Sequence, residues 1–535
     1  MNSTTTHRHP SPQTHPLLSS STAQTPLSSR PKAFPPLSSR PKAGGRSGEI
    51  PAFPLRSLAT AALLLAASSF CAAQTTPPHQ AQPWKSIPIP SLHAFKPVQP
   101  TKIELPNGVT LFLEEDHELP FISGFIRIRG GSRDEPAAKV GLVSLYGQTW
   151  RTSGSAQATG DALDDTLAAK AASIETSGGG AATNLSWSSF ATDFDNVFAS
   201  AMDLLLHPAF KEPKLELAKR SEISGILRRN DNASSIAARE AVQIAYGRTN
   251  PYGREPEITT VSAVHLDDLS AWHDRTVVGS NLIIGVIGDF DAKTMEQKLR
   301  AAFEPLPAGT KLVTEKITFA EPTPGIYFAD KPDVNQSNVY MVGLGTQEDN
   351  PDFYALSVMN EVFSGGFGSR VVQDVRTKLG LAYSVGGSFG AAYDHPGLFA
   401  VGLGTKSTST VPATKATLDE IAKLRTDPPS EVELRRAKDA LLNSFIFRYD
   451  SPEKVLGEQV TLAVYGYPSD FLERYRTGIE KVTSADVSRV AQKYVQPDKL
   501  AIVVVGNNPE ITPPLSGLGK VTALDIAIPG APKQQ

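Results

Sequence analysis

The side chains able to do chemistry in this 535-residue chain are few, and their spacing suits little of it. Beyond residue 73 the histidines are His79, His93, His117, His207, His265, His273 and His395. No two stand four apart, the spacing that sets two imidazoles one helical turn apart on one face, ready to share a metal ion. His265 and His273 fall on one predicted helix, about 12 Å apart along its axis at the standard rise, too far to share an ion. His117, with Glu118, falls on a predicted hairpin turn and reads as solvated surface. The single cysteine, Cys71, excludes a disulfide within the chain and any Cys₄ or Cys₂His₂ zinc site. The run Ser364-Gly365-Gly366-Phe367-Gly368-Ser369 is glycine-rich but lacks the strand and lysine of a phosphate-binding loop, so nucleotide binding is not expected.

The elements that must position any site read as an α+β chain. Ile103 to Leu105, Val109 to Leu113 and Phe121 to Arg129 carry strand signals around the turn Pro106-Asn107-Gly108. Helical periodicity follows at 138–150, 161–174, 190–207, 212–229, 233–246 and 265–275. An apolar strand from Asn281 to Ile287 ends at Gly288-Asp289, and a helix over 291–303 closes the half. The second half repeats the plan. It has strands near 325–330 and 337–344, helices at 351–363, 369–378, 411–424, 430–449, 452–465, 470–478 and 484–494, and an apolar strand from Leu500 to Val505. Laid over each other at an offset of 218, the halves match Val264 with Val482, Asp268 with Asp486, Leu282 with Leu500, Ile284 with Ile502 and Gly288 with Gly506. Matching ends on matching elements predict two copies of one α+β module. Trp150, Trp187 and Trp272 are expected in the core.

Composition sets outer bounds. Hydrophobic residues make up 40% and charged residues 20%, which suits a globular chain. Residues 1–73 hold seven Lys/Arg and one acid, which leaves a body of 45 basic and 54 acidic residues. That mildly acidic body gives no electrostatic reason to expect a nucleic-acid partner. Residues 1–50 are rich in Ser, Pro and basic residues and repeat PLSSRPKA. Arg56, the apolar run Leu58 to Phe70 and Cys71-Ala72-Ala73 then form an export signal with its cut expected after Ala73. The run is too short to span a bilayer, and the expected location is exported and periplasmic. The organisation expected is therefore a disordered leader and signal at 1–73, a Pro-rich linker at 74–100, modules at 101–310 and 315–510, and a C-terminal tail at 511–535.

The stretch NGVTLFLEEDHELPFISGFIRIRGGSRDEPAAKVGLVSL (107–145) resembles the opening of pitrilysin/insulinase-like zinc peptidases, which include mitochondrial processing peptidase. The likeness continues through HPAF (207–210), NPYGREP (250–256), VIGDFD (286–291) and SRVVQDVRTKLGLAYSVGG (369–387), and so covers roughly residues 100–510. It implies two homologous α/β-sandwich modules in a clam-like pair. Active members carry H-x-x-E-H on the first helix, two histidines for zinc and a glutamate to activate water, and a second glutamate about 77 residues on. Here the pattern puts Ser144 and Gln148 at the histidines and Gly147 at the catalytic glutamate; the count reaches Gly225 for the third ligand. Hydroxyl and amide are poor zinc ligands, and glycine offers neither ligand nor base.

The resemblance further implies that the second half supplies an arginine and a tyrosine that grip a peptide backbone. "R-x-x-x-G-L-x-Y" stands here as Arg376 to Tyr383, with Gly380 expected to end the helix left-handed and Tyr383 to begin a strand. Arginine offers a fixed fork of donors and tyrosine a hydroxyl. The glycine run at 364–369 resembles the family's glycine loop in non-catalytic subunits. The function so implied is a substrate-binding subunit with no cofactor of its own. Its expected partners are a peptide and a homologous chain that carries H-x-x-E-H and zinc. The alternative is a stand-alone pseudopeptidase that binds peptides or acts as a scaffold in the periplasm.

Overall fold

Period-2 apolar strands and amphipathic helices build two like sheets in a computed structural model that describes residues 98–531. The expected export signal, its cut site and nearly all of the linker lie outside the described residues. The first module runs β1 (Thr101–Glu104), β2 (Thr110–Glu115), β3 (Phe121–Arg129), α1 (Leu142–Ser153), α2 (Gly160–Ala169), β4 (Ser173–Gly178) and β5 (Ala182–Phe190). It continues with α3 (Phe194–Leu206), α4 (Glu212–Arg228), α5 (Ala233–Tyr246), α6 (Ile258–Ser262), α7 (Leu266–Thr276), β6 (Leu282–Gly288) and α8 (Ala292–Phe303). The second module runs β7 (Gly325–Asp330), β8 (Gln336–Leu344), β9 (Thr346–Gln347) and α9 (Phe353–Ser364), then a π-helix, Val372–Lys378. After it come β10 (Ser384–Phe389), β11 (Ala391–Ala392), β12 (Leu398–Lys406), α10 (Thr410–Thr426), α11 (Glu431–Ile446), α12 (Pro452–Tyr465), α13 (Phe471–Lys481) and α14 (Ser484–Tyr494). The strands β13 (Ala501–Gly506) and β14 (Val521–Ala523) close it.

The sheets have the orders β1-β2-β6-β3-β5-β4 and β10-β12-β8-β13-β7-β14. Five strands correspond one to one. In each sheet the late apolar strand, β6 or β13, pairs parallel with one early strand, β2 or β7, and antiparallel with the next, β3 or β8. This is the duplication read from the 218-residue offset. The sixth strands differ: β1 precedes the first module and runs antiparallel to β2, whereas β14 follows the second and runs parallel to β7. Residues 511–531 are therefore packed into the fold rather than appended as a tail: Ile511 and Leu515 are buried in the second module's core, and Ile528 packs against the first. The expected β2–β3 hairpin is not formed either, because β6 lies between the two strands. His117, on the connection between them, is exposed and pairs with Asp289 at 2.7 Å.

Strand β6 (Leu-Ile-Ile-Gly-Val-Ile-Gly) is buried along its whole length because both its faces are covered. Leu282, Ile284 and Val286 point into a core with Tyr146 and Trp150 of α1. Ile283 and Ile287 point the other way, with Phe112, onto Leu456, Val460 and Val464 of α12, a helix of the other module. Strand β13 does the reverse. Ile502 and Val504 face their own module's helices, while Ala501, Val503 and Val505 face Ile236, Ala237, Ala241 and Ala245 of α5. Each module thus covers one face of the other's sheet with the corresponding helix.

Polar groups are sealed into this exchange. Arg129 of β3 donates to the carbonyl oxygens of Ala463 and Val464 at the end of α12. Arg133 pairs with Asp394, which also accepts from the Tyr252 hydroxyl and bonds to His395 Nδ1. Burial, and then the charge of Arg133, lower the His395 pKa to about 4. The ring is neutral at physiological pH and so donates Nδ1–H to the carboxylate. Phe319, on the connection between modules, packs against Tyr246, Tyr252 and His395.

The pKa of Glu348, a half-buried residue of the second module, is raised to about 7, by burial first and then by the charge of Glu458. Its folded value lies above the unfolded one. Stability from the protonated form is therefore complete below about pH 4.5 and is lost as pH rises through 7. Glu348→Gln is expected to stabilise the chain by about 2 kcal/mol more at pH 8 than at pH 5. Urea midpoints at the two pH values check this; an equal shift at both would contradict it.

Candidate functional site

Helix α1 begins after Gly141, which sits at φ 103°. Its first amide groups would be orphaned there, but the buried Glu135 carboxylate accepts from Gly141 N and Val143 N, both at 3.0 Å. The inner face is fixed by Trp150, whose indole N–H donates to the Leu204 carbonyl at 2.8 Å, and by Tyr146, whose hydroxyl bonds to His273 Nδ1 at 2.8 Å. Burial lowers the His273 pKa to about 4, so this ring is neutral and structural. His265 caps the start of the same helix, α7, and the two rings share no site. Trp150, Trp187 and Trp272 are core residues, as expected.

With that face locked, Ser144 and Gln148 project toward α4. There they meet Glu222, not Gly225. The Ser144 hydroxyl donates to Glu222 Oε2 at 3.2 Å. Gln148 Nε2 reaches Ser144 Oγ at 3.1 Å and Glu222 Oε2 at 3.4 Å. Gly225, to which the count of 77 led, lies almost one turn farther along α4, exposed, with open space where a side chain would stand. The third position thus keeps a glutamate. Counting along one sequence carried no correction for a three-residue offset, whereas helix pairing does: only a residue on the inner side of α4 faces α1.

The residues present do not fit zinc. One carboxylate, one hydroxyl and one amide are bonded to one another, with no imidazole or thiolate among them. Among the described residues no three His, Cys, Asp or Glu side chains converge to hold a metal ion. The position of the catalytic glutamate is closed as well as empty. A Cβ on Gly147 would meet the Gly178 amide nitrogen of β4 and come within 2.6 Å of the Ser177 carbonyl carbon. Strand β4 lies directly on α1 here, tied by the Thr176 hydroxyl donating to the Gly147 carbonyl at 2.7 Å.

In the second module, Arg376 stands on the π-helix and Tyr383 immediately precedes β10, the edge strand of its sheet. Gly380 between them adopts φ 63°, the left-handed ending expected. The Tyr383 amide donates to the Gly404 carbonyl at 2.8 Å, which anchors its backbone in the sheet. Its side chain is 50% exposed and its hydroxyl has no acceptor among the described residues. The Arg376 guanidinium has no acceptor there either and lies 5.0 Å over the ring of Phe367, itself 72% exposed in the glycine run. The structure thus brings the glycine run and Arg376 together and leaves both Arg376 and Tyr383 with donors unused. The run Gly386-Gly387-Ser388-Phe389-Gly390 has the G-x-S-x-G spacing of a nucleophile elbow, which the sequence reading passed over. It lies within and at the end of strand β10, not at a strand-to-helix turn, so Ser388 is not presented as a nucleophile.

Comparison with known proteins agrees with this architecture. Residues 263–441 match the family described as "Peptidase M16 inactive domain". A Helicobacter pylori protein named "Non-peptidase homolog YmxG" is 24% identical over 416 residues, covering 75% of this chain and 92% of that one. An uncharacterized zinc protease of Rickettsia felis is 24% identical over 300 residues, covering 54% of this chain and 70% of its own length. The crystal structure of a peptidase M16 inactive domain from Pseudomonas fluorescens superposes with a TM-score of 0.70 at 23% identity, covering 77% of this chain and 98% of that one. Residues 263–441 thus match the M16 inactive-domain family, and with its paired modules the chain is similar in sequence and fold to pitrilysin/insulinase-like (M16) zinc peptidases, without their H-x-x-E-H motif.

Proposed function

We propose that this chain is the non-catalytic, substrate-binding subunit of a heteromeric pitrilysin-like zinc endopeptidase that acts on peptides, and that it is exported to the periplasm. One contrast carries the reading. The metal position has been converted into a closed hydrogen-bonded cluster, while Arg376 and Tyr383 remain exposed with unused donors beside an edge strand. A peptide laid along that edge would gain main-chain hydrogen bonds, and the two side chains would donate to its carbonyls. A homologous partner with H-x-x-E-H would hold the zinc and the catalytic base. Among the described residues no helix is long and apolar enough to cross a membrane. The alternative, a stand-alone pseudopeptidase, draws on the similarity to the Helicobacter non-peptidase homolog.

The test co-expresses the chain with a homologous chain that carries H-x-x-E-H and measures peptide cleavage by each alone and by the mixture. Activity is expected only in the mixture. Arg376→Ala or Tyr383→Ala is expected to lower it by roughly 10- to 100-fold, the loss of one strong hydrogen bond to substrate. Full activity of the second chain by itself would count against the proposal.

A further inference from the structure

Phe367 adds nothing to the core, yet it is a large apolar ring set out in water. It is 72% exposed in the glycine run, belongs to no apolar cluster and meets no second aromatic ring among the described residues. The contact it makes is with the Arg376 guanidinium, which lies 5.0 Å over the ring.

The loop that carries the ring is held in one shape. Gly366 takes φ 77°, and its carbonyl accepts from both the amide and the hydroxyl of Ser369, at 3.1 and 2.6 Å. Gln373 of the π-helix donates its side-chain Nε2 to the Phe367 carbonyl at 2.5 Å and its amide to the Ser369 carbonyl at 2.9 Å. Gln373 thus ties the loop to the same helix from which Arg376 projects.

Arg376 has no other anchor among the described residues. Three acids packed around the π-helix are engaged, Asp374 with Lys378, Glu420 with Lys423 and Glu433 with Arg370. A free arginine spreads over many rotamers, and ordering it on binding costs affinity. The ring attracts the cation through its negative face and takes none of the N–H donors away from an acceptor oxygen. A carboxylate in its place would occupy two of those donors.

We infer that Phe367 is a positioning residue for Arg376: it fixes the guanidinium before a peptide arrives and leaves its donors free for a peptide carbonyl. The inference deepens the peptide-binding reading above and rests on it. An aliphatic side chain of similar size would fill the same space without the attraction, so the effect belongs to the π-face and not to bulk.

The test compares the full chain with its Phe367→Leu, Phe367→Tyr and Arg376→Ala variants, all of them changes at the surface. Without peptide, the Arg376 Nε–Hε signal is read by NMR in protein carrying isotope-labelled arginine, and is assigned by its loss in Arg376→Ala. A ring-current shift and restricted side-chain motion are expected in the parent and in Phe367→Tyr, and both are lost in Phe367→Leu. A parent signal with the shift and mobility of a free arginine, or one that Phe367→Leu leaves unchanged, overturns the proposal. With peptide, an N-acetylated, C-amidated Ala/Ser decapeptide is titrated calorimetrically. Phe367→Leu is expected to weaken its binding about two- to fivefold, the fold-change of one exposed cation–π contact, and Phe367→Tyr to restore it. In an Arg376→Ala background Phe367→Leu costs nothing further. A loss of equal size in that background means that the ring touches peptide directly, and the positioning role falls. Should the peptide not bind at all, the peptide-binding reading fails, and the NMR signal alone decides whether Phe367 positions Arg376.

Discussion

Replacing two residues, Ser144→His and Gln148→His, is expected to give a chain that holds about one zinc ion per molecule. The two positions are one turn apart on α1, and both already touch the Glu222 carboxylate, at 3.2 and 3.4 Å. The double variant would present two imidazoles and one carboxylate, the donor set of many catalytic zinc sites, with a fourth position left to water. The scaffold needs no rearrangement, because the inner face of α1 is fixed by the Trp150 and Tyr146 hydrogen bonds, which lie away from the new ligands. Metal analysis after gel filtration, with and without a chelator, reads the outcome. A further Glu222→Gln change should release the ion. If the double variant leaves the column without zinc, Glu222 is not the surviving third ligand. Peptide hydrolysis by the double variant is not expected, since Gly147 supplies no base.

Completing the motif with Gly147→Glu is expected to be severely destabilising, by about 3 kcal/mol or more, and not to create an enzyme. Any side chain at residue 147 meets backbone rather than a movable rotamer, with the Ser177 Cα and carbonyl carbon within 2.9 and 2.6 Å of its Cβ. The neighbour is equally tight, because a Cβ on Gly178 would strike the Val143 carbonyl. To make room, β4 must leave α1 and forfeit the Thr176–Gly147 bond, and its pairing with β5 would be strained over residues 173–178. The measurement is the urea midpoint, together with amide exchange across β4. A variant as stable as the parent, with β4 still protected, would show that α1 and β4 are not packed as described. Taken together, the two predictions separate ligands from base: the ligands are restorable within the existing packing, the base is not.

Much of this was legible in the chain itself, for reasons that differ by element. Strands β6 and β13 announce themselves because both faces are covered and every residue is therefore apolar or glycine. Helices α4, α5, α12 and α14 fall within a residue or two of their periodic patterns, and α14 carries a reciprocal Thr483–Asp486 cap. Strands β4, β5 and β12 were not legible. The sequences of β4 and β5, SIETSG and ATNLSWSSF, fill more than half their positions with Ser, Thr, Asn or Gly, and β12, LFAVGLGTK, breaks its apolar alternation with two glycines; the helices predicted at 161–174 and 190–207 ran into the first two. Their identity as strands comes from pairing, β5 with β3, β4 with β5 and β12 with β8, which no local pattern encodes. The exchange of α5 and α12 was hidden for a related reason: periodicity shows that a helix has an apolar face but not which sheet receives it. At the site, the loss of both histidines and of the base could be read residue by residue, and so could Arg376 and Tyr383. The persistence of Glu222 could not, because it depends on how two helices lie together.

The reciprocal covering of the sheets also bears on how the polypeptide must be made. While the ribosome is still producing the second module, the first has its strands but not α12, so Phe112, Ile283 and Ile287 have nothing to rest on. That greasy surface stays open from the completion of β6 until α12 is made, and its cover arrives only near the end. Cutting the gene between the copies would leave each product with a bare sheet and a homeless helix, a recipe for aggregation or for trading helices with a twin.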